Sequence, residues 1–235
     1  MRSIAEQDDA ELGGGMSVLV RQKRDHVALD ALLHELGRTE GDQQQEVLNR
    51  LGRLVFSHAF AEEAVLWPTV RRVLPDGEAL TLRIEKEHQE INELWVQLET
   101  ATDRTTRQPL LDRLVEVLRE DVRDEEDLLL PRLQERLDAR ALTRLGWTWE
   151  AVRRTAPTRP HPVVARRPPG NALSALPLSV LDRSRDRVDQ VARRSGPQAR
   201  PRLLAASRVL AKLAGAVEQL PPMKRGEDPS THRTG

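Results

Sequence analysis

Two stretches of this chain repeat each other, and the repeat limits what the chain can fold into more than any other feature. His58-Ala-Phe-Ala-Glu62-Glu63-Ala-Val-Leu66-Trp-Pro68 is followed, 63 residues later, by Asp121-Val-Arg-Asp-Glu125-Glu126-Asp-Leu-Leu129-Leu-Pro131. Glu62, Glu63, Leu66 and Pro68 recur as Glu125, Glu126, Leu129 and Pro131, while His58 is answered by Asp121. On a helix, residues i and i+4 differ by about 40° of rotation, so His58/Glu62 and Asp121/Glu125 each share one face. Two such pairs on facing helices are a way to hold a pair of metal ions inside a bundle.

Apolar spacing sets the helices around these pairs. Leu19, Leu29, Leu33 and Leu36 predict a helix over 16–37, with His26 on the same seam. Leu48, Leu51 and Val55, then His58 and Glu62, then Val65 and Leu66 predict a second over 43–74. Leu80, Ile84, His88, Ile91, Trp95 and Leu98 predict a third over 78–101. Leu111, Leu114 and Leu118, then Asp121 and Glu125, then Leu128 and Leu129 predict a fourth over 109–136. Pro68 and Pro131 should kink their helices or start the last turns. His26 and His88 are 62 residues apart, and Leu29, Leu32, Leu33 and Leu36 correspond to Ile91, Leu94, Trp95 and Leu98. The chain thus reads as a duplicated helical hairpin, 16–74 and 78–136. Its pseudo-twofold axis would gather His26, His58, Glu62, His88, Asp121 and Glu125.

Composition agrees with an all-α fold, an up-down four-helix bundle with a helical, proline-linked C-terminal extension. Aromatics are 3% of the residues and Tyr is absent, whereas sheets favour aromatic and β-branched side chains. Residues 1–15, polar and ending in Gly13-Gly14-Gly15, read as a flexible leader. The bundle occupies 16–136 and a short fifth helix 137–155. Residues 156–176 read as a strap, with five prolines between Pro157 and Pro169. A helical extension over 177–220 and a disordered tail over 221–235 complete the chain.

Cysteine is absent, which excludes disulfides, zinc–cysteine sites and thiol catalysis. The acidic N-terminus lacks the apolar core of a signal peptide, and no run reaches the ~18 apolar residues of a membrane span. A cytoplasmic protein without a membrane partner is expected. The formal net charge of zero hides an asymmetry. Residues 1–150 carry 20 Lys/Arg against 31 Asp/Glu, and residues 151–235 carry 17 against 6. The basic half has three roles open to it: docking on the acidic bundle, contacting nucleic acid, or facing a second copy in a homodimer. It has no aromatic residue after Trp149 and no nucleic-acid motif, which argues against the second. Asp182, Arg183, Arg185, Asp186, Arg187 and Asp189 suggest an exposed, salt-bridged helix.

A buried carboxylate is normally paired, protonated or metal-bound. One such residue, or one buried His, is more often an ordinary hydrogen-bonded group than a ligand. Three His and three carboxylates interrupting apolar seams at matching heights point to metal, and imidazole with carboxylate suits iron, manganese or zinc. The order of His26, His58-x3-Glu62-Glu63, His88 and Glu125-Glu126-x2-Leu129-x-Pro131, with Arg24-Asp25-His26-Val-Ala-Leu-Asp30, resembles the hemerythrin-like (HHE cation-binding) domains over about residues 16–136. The resemblance implies a left-handed up-down bundle around a carboxylate-bridged pair of iron ions. Such a centre meets dioxygen, nitric oxide or peroxide. It implies terminal ligands at His26, His58 and His88 and bridging carboxylates at Glu62 and Glu125.

Asp121 departs from the pattern, which expects His. Three readings stand open: Asp121 ligates directly, it ligates through a water, or one metal position is lost. Glu87, Glu90 and Asp124 read as solvated or as acceptors that orient imidazole N–H groups. His34, His161 and His232 are not needed for the site. The expected function is a di-iron protein that binds or senses a small oxidant or handles iron. The rival is a metal-depleted bundle acting through its charged surface.

Overall fold

The computed structural model describes residues 1–231 and is helical throughout its regular structure. The helices are α1 (Val18–Leu36), α2 (Gly41–Ala61), α3 (Trp67–Val73), α4 (Gly77–Thr100), α5 (Arg104–Asp124), α6 (Leu130–Gln134), α7 (Ala139–Thr155), α8 (Gly170–Arg194) and α9 (Arg200–Glu218). No helix among the described residues is long and apolar enough to cross a membrane.

Four columns build the bundle: α1, α2 continued by α3, α4, and α5 continued by α6. Each continuation passes through one π turn, Glu62–Leu66 in the first and Glu125–Leu129 in the second. The backbone N–H of Trp67 donates to the Glu62 carbonyl, and that of Leu130 to the Glu125 carbonyl, one residue further back than in an α-helix. The following proline explains the wider turn. Pro68 and Pro131 lack an N–H, and their rings press on the carbonyl four residues before. The expected kink is therefore a single widened turn, with each proline inside the first turn of the next helix.

The core has two apolar layers with a polar layer between them. One contains Leu29, Leu33, Leu48, Leu51, Trp95, Leu98, Leu114 and Leu118. The other contains Leu19, Leu66, Trp67, Ile84, Leu129, Leu133 and Trp149. A fully buried Leu contributes about 1.5–3 kcal/mol, so each layer is a strong clamp on the residues between them.

Several boundaries differ from the sequence expectation. Residues 1–15 were expected to be loose, but Ile4 and Leu12 are fully buried in the second layer, and Gly13 and Gly14 turn the chain into α1 at φ 89° and 91°. α5 begins at Arg104, ahead of Pro109, because Asp103 caps it by accepting from the Thr106 N–H at 2.9 Å. α8 begins at Gly170, ahead of Pro177. The tail was expected to be disordered over 221–235. Pro221–Lys224 forms a 3-10 turn, and the carbonyls of Met223 and Arg225 accept from Ala165 and Gly170 at 2.9 and 3.0 Å. His232, with the rest of 232–235, lies outside the described residues.

α7 lies across α1 and α2, and Gly146 lets it approach closely: a Cβ there would sit 2.3 Å from the Met16 carbonyl oxygen. The strap and α8 dock on the bundle through charge. Arg159 meets Glu99 at 3.5 Å, Arg193 meets Glu46 at 2.7 Å, Asp186 meets Arg53 at 3.1 Å, and Arg167 meets Glu85 at 2.7 Å. The acidic residues of α8 are thus not an exposed ladder. Asp182 is buried and accepts from the Thr158 and Arg159 backbone N–H groups at 2.9 and 3.1 Å. His161 is also held, between Asp182 at 3.0 Å and Glu218 at 2.9 Å, and those two carboxylates push its pKa up to about 9 against the opposing effect of burial.

Candidate metal centre

The polar layer brings together all six residues singled out by the sequence. α1 supplies His26, α2 His58, α4 His88 and α5 Asp121. Glu62 and Glu125 open the two π turns. Glu62 is 0% exposed and Glu125 1%.

The two glutamates divide their oxygens. Glu62 Oε1 lies 3.1 Å from His58 Nε2, while its Oε2 lies 3.6 Å from His88 Nε2. Glu125 Oε2 lies 3.1 Å from His26 Nε2, while its Oε1 lies 4.0 Å from His88 Nε2. Asp121 Oδ1 sits 3.4 Å from His88 Nε2. Two donor groups therefore form around a shared Glu125: His26, His58 and Glu125, and Glu62, His88 and Glu125. Asp121 joins the second. Both oxygens of Glu62, both of Glu125 and Oδ1 of Asp121 are buried without a hydrogen-bond partner. Five unpartnered oxygens aimed at three imidazole nitrogens is a donor set suited to two cations.

The other imidazole nitrogens are all held. His26 Nδ1 meets Glu126 at 2.9 Å, His58 Nδ1 meets Asp25 at 3.1 Å, and His88 Nδ1 meets Glu63 at 2.8 Å. An Nδ1–H donated outward leaves the Nε2 lone pair pointing inward, the tautomer a metal requires. These three carboxylates are not the ones expected. Glu90 pairs with Arg113 at the surface, at 2.7 Å, and Asp124 pairs with Arg83. The doubled Glu-Glu of each repeat and the acid preceding His26 were the available signals.

The titration behaviour fits a site in which protons stand where metal would. Burial opposes charge on His26 and His88, yet neighbouring carboxylates push them up to about 9 and about 10. His58 is likewise raised, by Glu62 and Asp25, against its burial. Burial pushes Asp121 well above the usual carboxylate range, with Glu125, Glu62 and Glu87 adding to the rise. Burial and Glu62 push Glu125 up as well.

Two tryptophans close the layer. Trp149 meets the His58 ring edge-on at 5.4 Å, and Trp67 stacks near His88 at 6.5 Å. Beside the donors lies a cavity of about 20 Å³, bounded by Leu29, Leu54, Val55 and Leu118 as well as by the histidines. His34, by contrast, is at the rim, its Nδ1 on the Asp30 carbonyl of its own helix.

Residues 18–133 match the hemerythrin HHE cation binding domain. This stretch belongs to that family. An uncharacterized hemerythrin-like protein of Schizosaccharomyces pombe is 24% identical over 135 residues, covering 57% of this chain. The aligned part is 66% of that relative, just short of two thirds of its length. No solved structure matches the chain. The hemerythrin-like domain ends before α7, so Trp149 at the His58 ring comes from outside it.

Proposed function

We propose that the hemerythrin-like domain holds a carboxylate-bridged pair of iron ions and uses it to bind or sense dioxygen, nitric oxide or peroxide. The observation that carries this reading is the split of Glu62 and Glu125, each offering one oxygen to either side of the polar layer. His26 and His58 would serve one ion, and His88 with Asp121 the other. An iron pair held there supplies reversible binding of a small oxidant and exchange of electrons with it.

The chain's own residues do the rest. Asp25, Glu63 and Glu126 fix the three imidazoles with Nε2 inward. The two apolar layers exclude bulk water, and the small cavity is about large enough for a diatomic molecule or one water. Asp121 makes the donor set three nitrogens and three carboxylates. That is a harder set than one with four imidazoles, and it keeps manganese and zinc as alternatives.

Elemental mass spectrometry of protein produced with iron and manganese supplied, without contact with an affinity metal, tests the reading. About two iron atoms per chain supports it. Near zero, with a melting temperature indifferent to chelator, sinks it and leaves a bundle that works through its charged surface.

A further inference from the structure

The strap places one arginine where nothing about a metal centre requires a basic residue. Arg166 is 6% exposed and lies between α4 and the π turn after α2. Its Nη1 donates to Glu63 Oε1 at 3.0 Å, the same oxygen that accepts from His88 Nδ1 at 2.8 Å. Its Nη2 donates to Gln89, one residue after His88. Its backbone is fixed too: its carbonyl accepts from Asn171 Nδ2 at 2.7 Å, and its N–H donates to Glu227.

A buried guanidinium is costly unless its partners are well aligned. Here the alignment reaches a histidine through one shared oxygen. The other end of the layer has a related device. Arg153, on α7, grips Asp25 with two bonds of 2.6 and 2.9 Å, and Asp25 holds His58. Glu126, which holds His26, has no cation on its side chain among the described residues. Both arginines lie beyond residue 133, outside the family match.

We infer that Arg166 is a positioning residue: it pins Glu63, Glu63 pins His88, and the docked C-terminal strap thereby sets how tightly the His88 side of the centre holds its ion. Arg153 does the same for the His58 side through Asp25. The inference rests on the proposed metal-binding reading and adds a control of that site from residues outside the bundle. A displaced strap would loosen one ion and spare the other, because the two arginines belong to different elements.

The test titrates ferrous ion without oxygen into the full-length protein against a coloured chelator, resolving two stepwise dissociation constants. Arg166→Gln should weaken one constant by roughly 10–100-fold, the range found when an acceptor behind a ligating histidine is disturbed. Arg166→Lys should recover part of the loss, since an ammonium keeps the charge but not the fork. In a His88→Ala background, Arg166→Gln should add no further weakening, whereas a merely structural arginine would still lower affinity and melting temperature there. If Arg166→Gln does not fold, Gln89→Met removes the far anchor of the guanidinium and should weaken the same constant several-fold. Two constants that stay within about twofold of the parent in these variants, or that weaken equally, overturn the inference. A parent protein that takes up no ferrous ion overturns the metal reading itself, and with it this one; that result differs from two ions bound indifferently to Arg166.

Discussion

The two halves of the bundle share a frame but not a chemistry. In the first, His58 stands on α2 with Asp25 behind it, one residue before His26. In the second, the equivalent positions are Asp121 and Glu87, one residue before His88. Asp121 is shorter than His and has no N–H to give, so Glu87 loses the role that Asp25 performs. Its Oε2 is buried without a partner, and burial with the neighbouring Asp124 pushes it up to about 7. A single side chain has thus left a second one with no imidazole to hold, its Oε1 facing Arg83 at 3.6 Å instead. The lesson is that a duplicated site diverges in pairs, a ligand and the group behind it.

The largest expected effect breaks the intact half. His58→Ala removes one of two imidazoles there and should cut metal affinity at that position by more than about 100-fold, beyond what outer groups cost. Elemental analysis should then find about one iron per chain or fewer. Unchanged iron content would remove His58 from the donor set.

Equalising the halves comes next. Asp121→His should raise affinity on the His88 side by roughly tenfold or more, with Glu87 as the new acceptor. Adding Glu87→Gln should erase most of the gain. A gain that survives Glu87→Gln would show that the two halves are not related as described.

The histidines set a pH dependence that both halves share. Their folded pKa values, about 9 for His26 and about 10 for His88, exceed the unfolded value of about 6.5. The metal-free protein should therefore enjoy their full contribution below about pH 6.5 and lose it as pH rises through 9 to 10. Asp121 and Glu125, also raised, act with the same sign. Bound metal needs neutral imidazole, so ferrous affinity should instead rise from pH 6 to 8. Thermal melts with and without chelator across pH check both slopes, and a metal-free melting temperature that climbs toward pH 10 would contradict the assignment.

The smallest effect concerns the surface. Arg113 and Glu90 pair in the open on α5 and α4, and Arg113→Ala should change stability by about 0–1 kcal/mol by denaturant titration. A larger loss would mean that α4 and α5, which carry the incomplete donor set, are held together differently from α1 and α2.

What could be read from the sequence divides along physical lines. The polar seam was visible because a charged residue in an apolar stripe stands out, as His88 does between Ile84 and Ile91. The groups behind the seam were not, since Asp25, Glu63 and Glu126 sit beside other polar residues and acquire a role only when a second helix faces them. The π turns escaped because hydropathy is blind to which carbonyl an N–H selects. Ile4 and Leu12 are too few to show a period. His161 and Arg166 find partners 21 to 103 residues away, a distance no local pattern spans.

The π turns have one more consequence. Each extra residue turns everything after it by about 100°. Glu62 and Glu125 sit at the joints, so the segments before and after them are geared separately. The end with Leu66, Trp67 and Leu129 can keep its own face inward while the donors keep theirs. Deleting Ala64 or Asp127 would remove that slack. The proline ring would then press on a carbonyl of a regular turn, and the remainder of the column would point its leucines at water or swing its glutamate off the axis. A regular helix here would be strained at its proline and out of phase with the core.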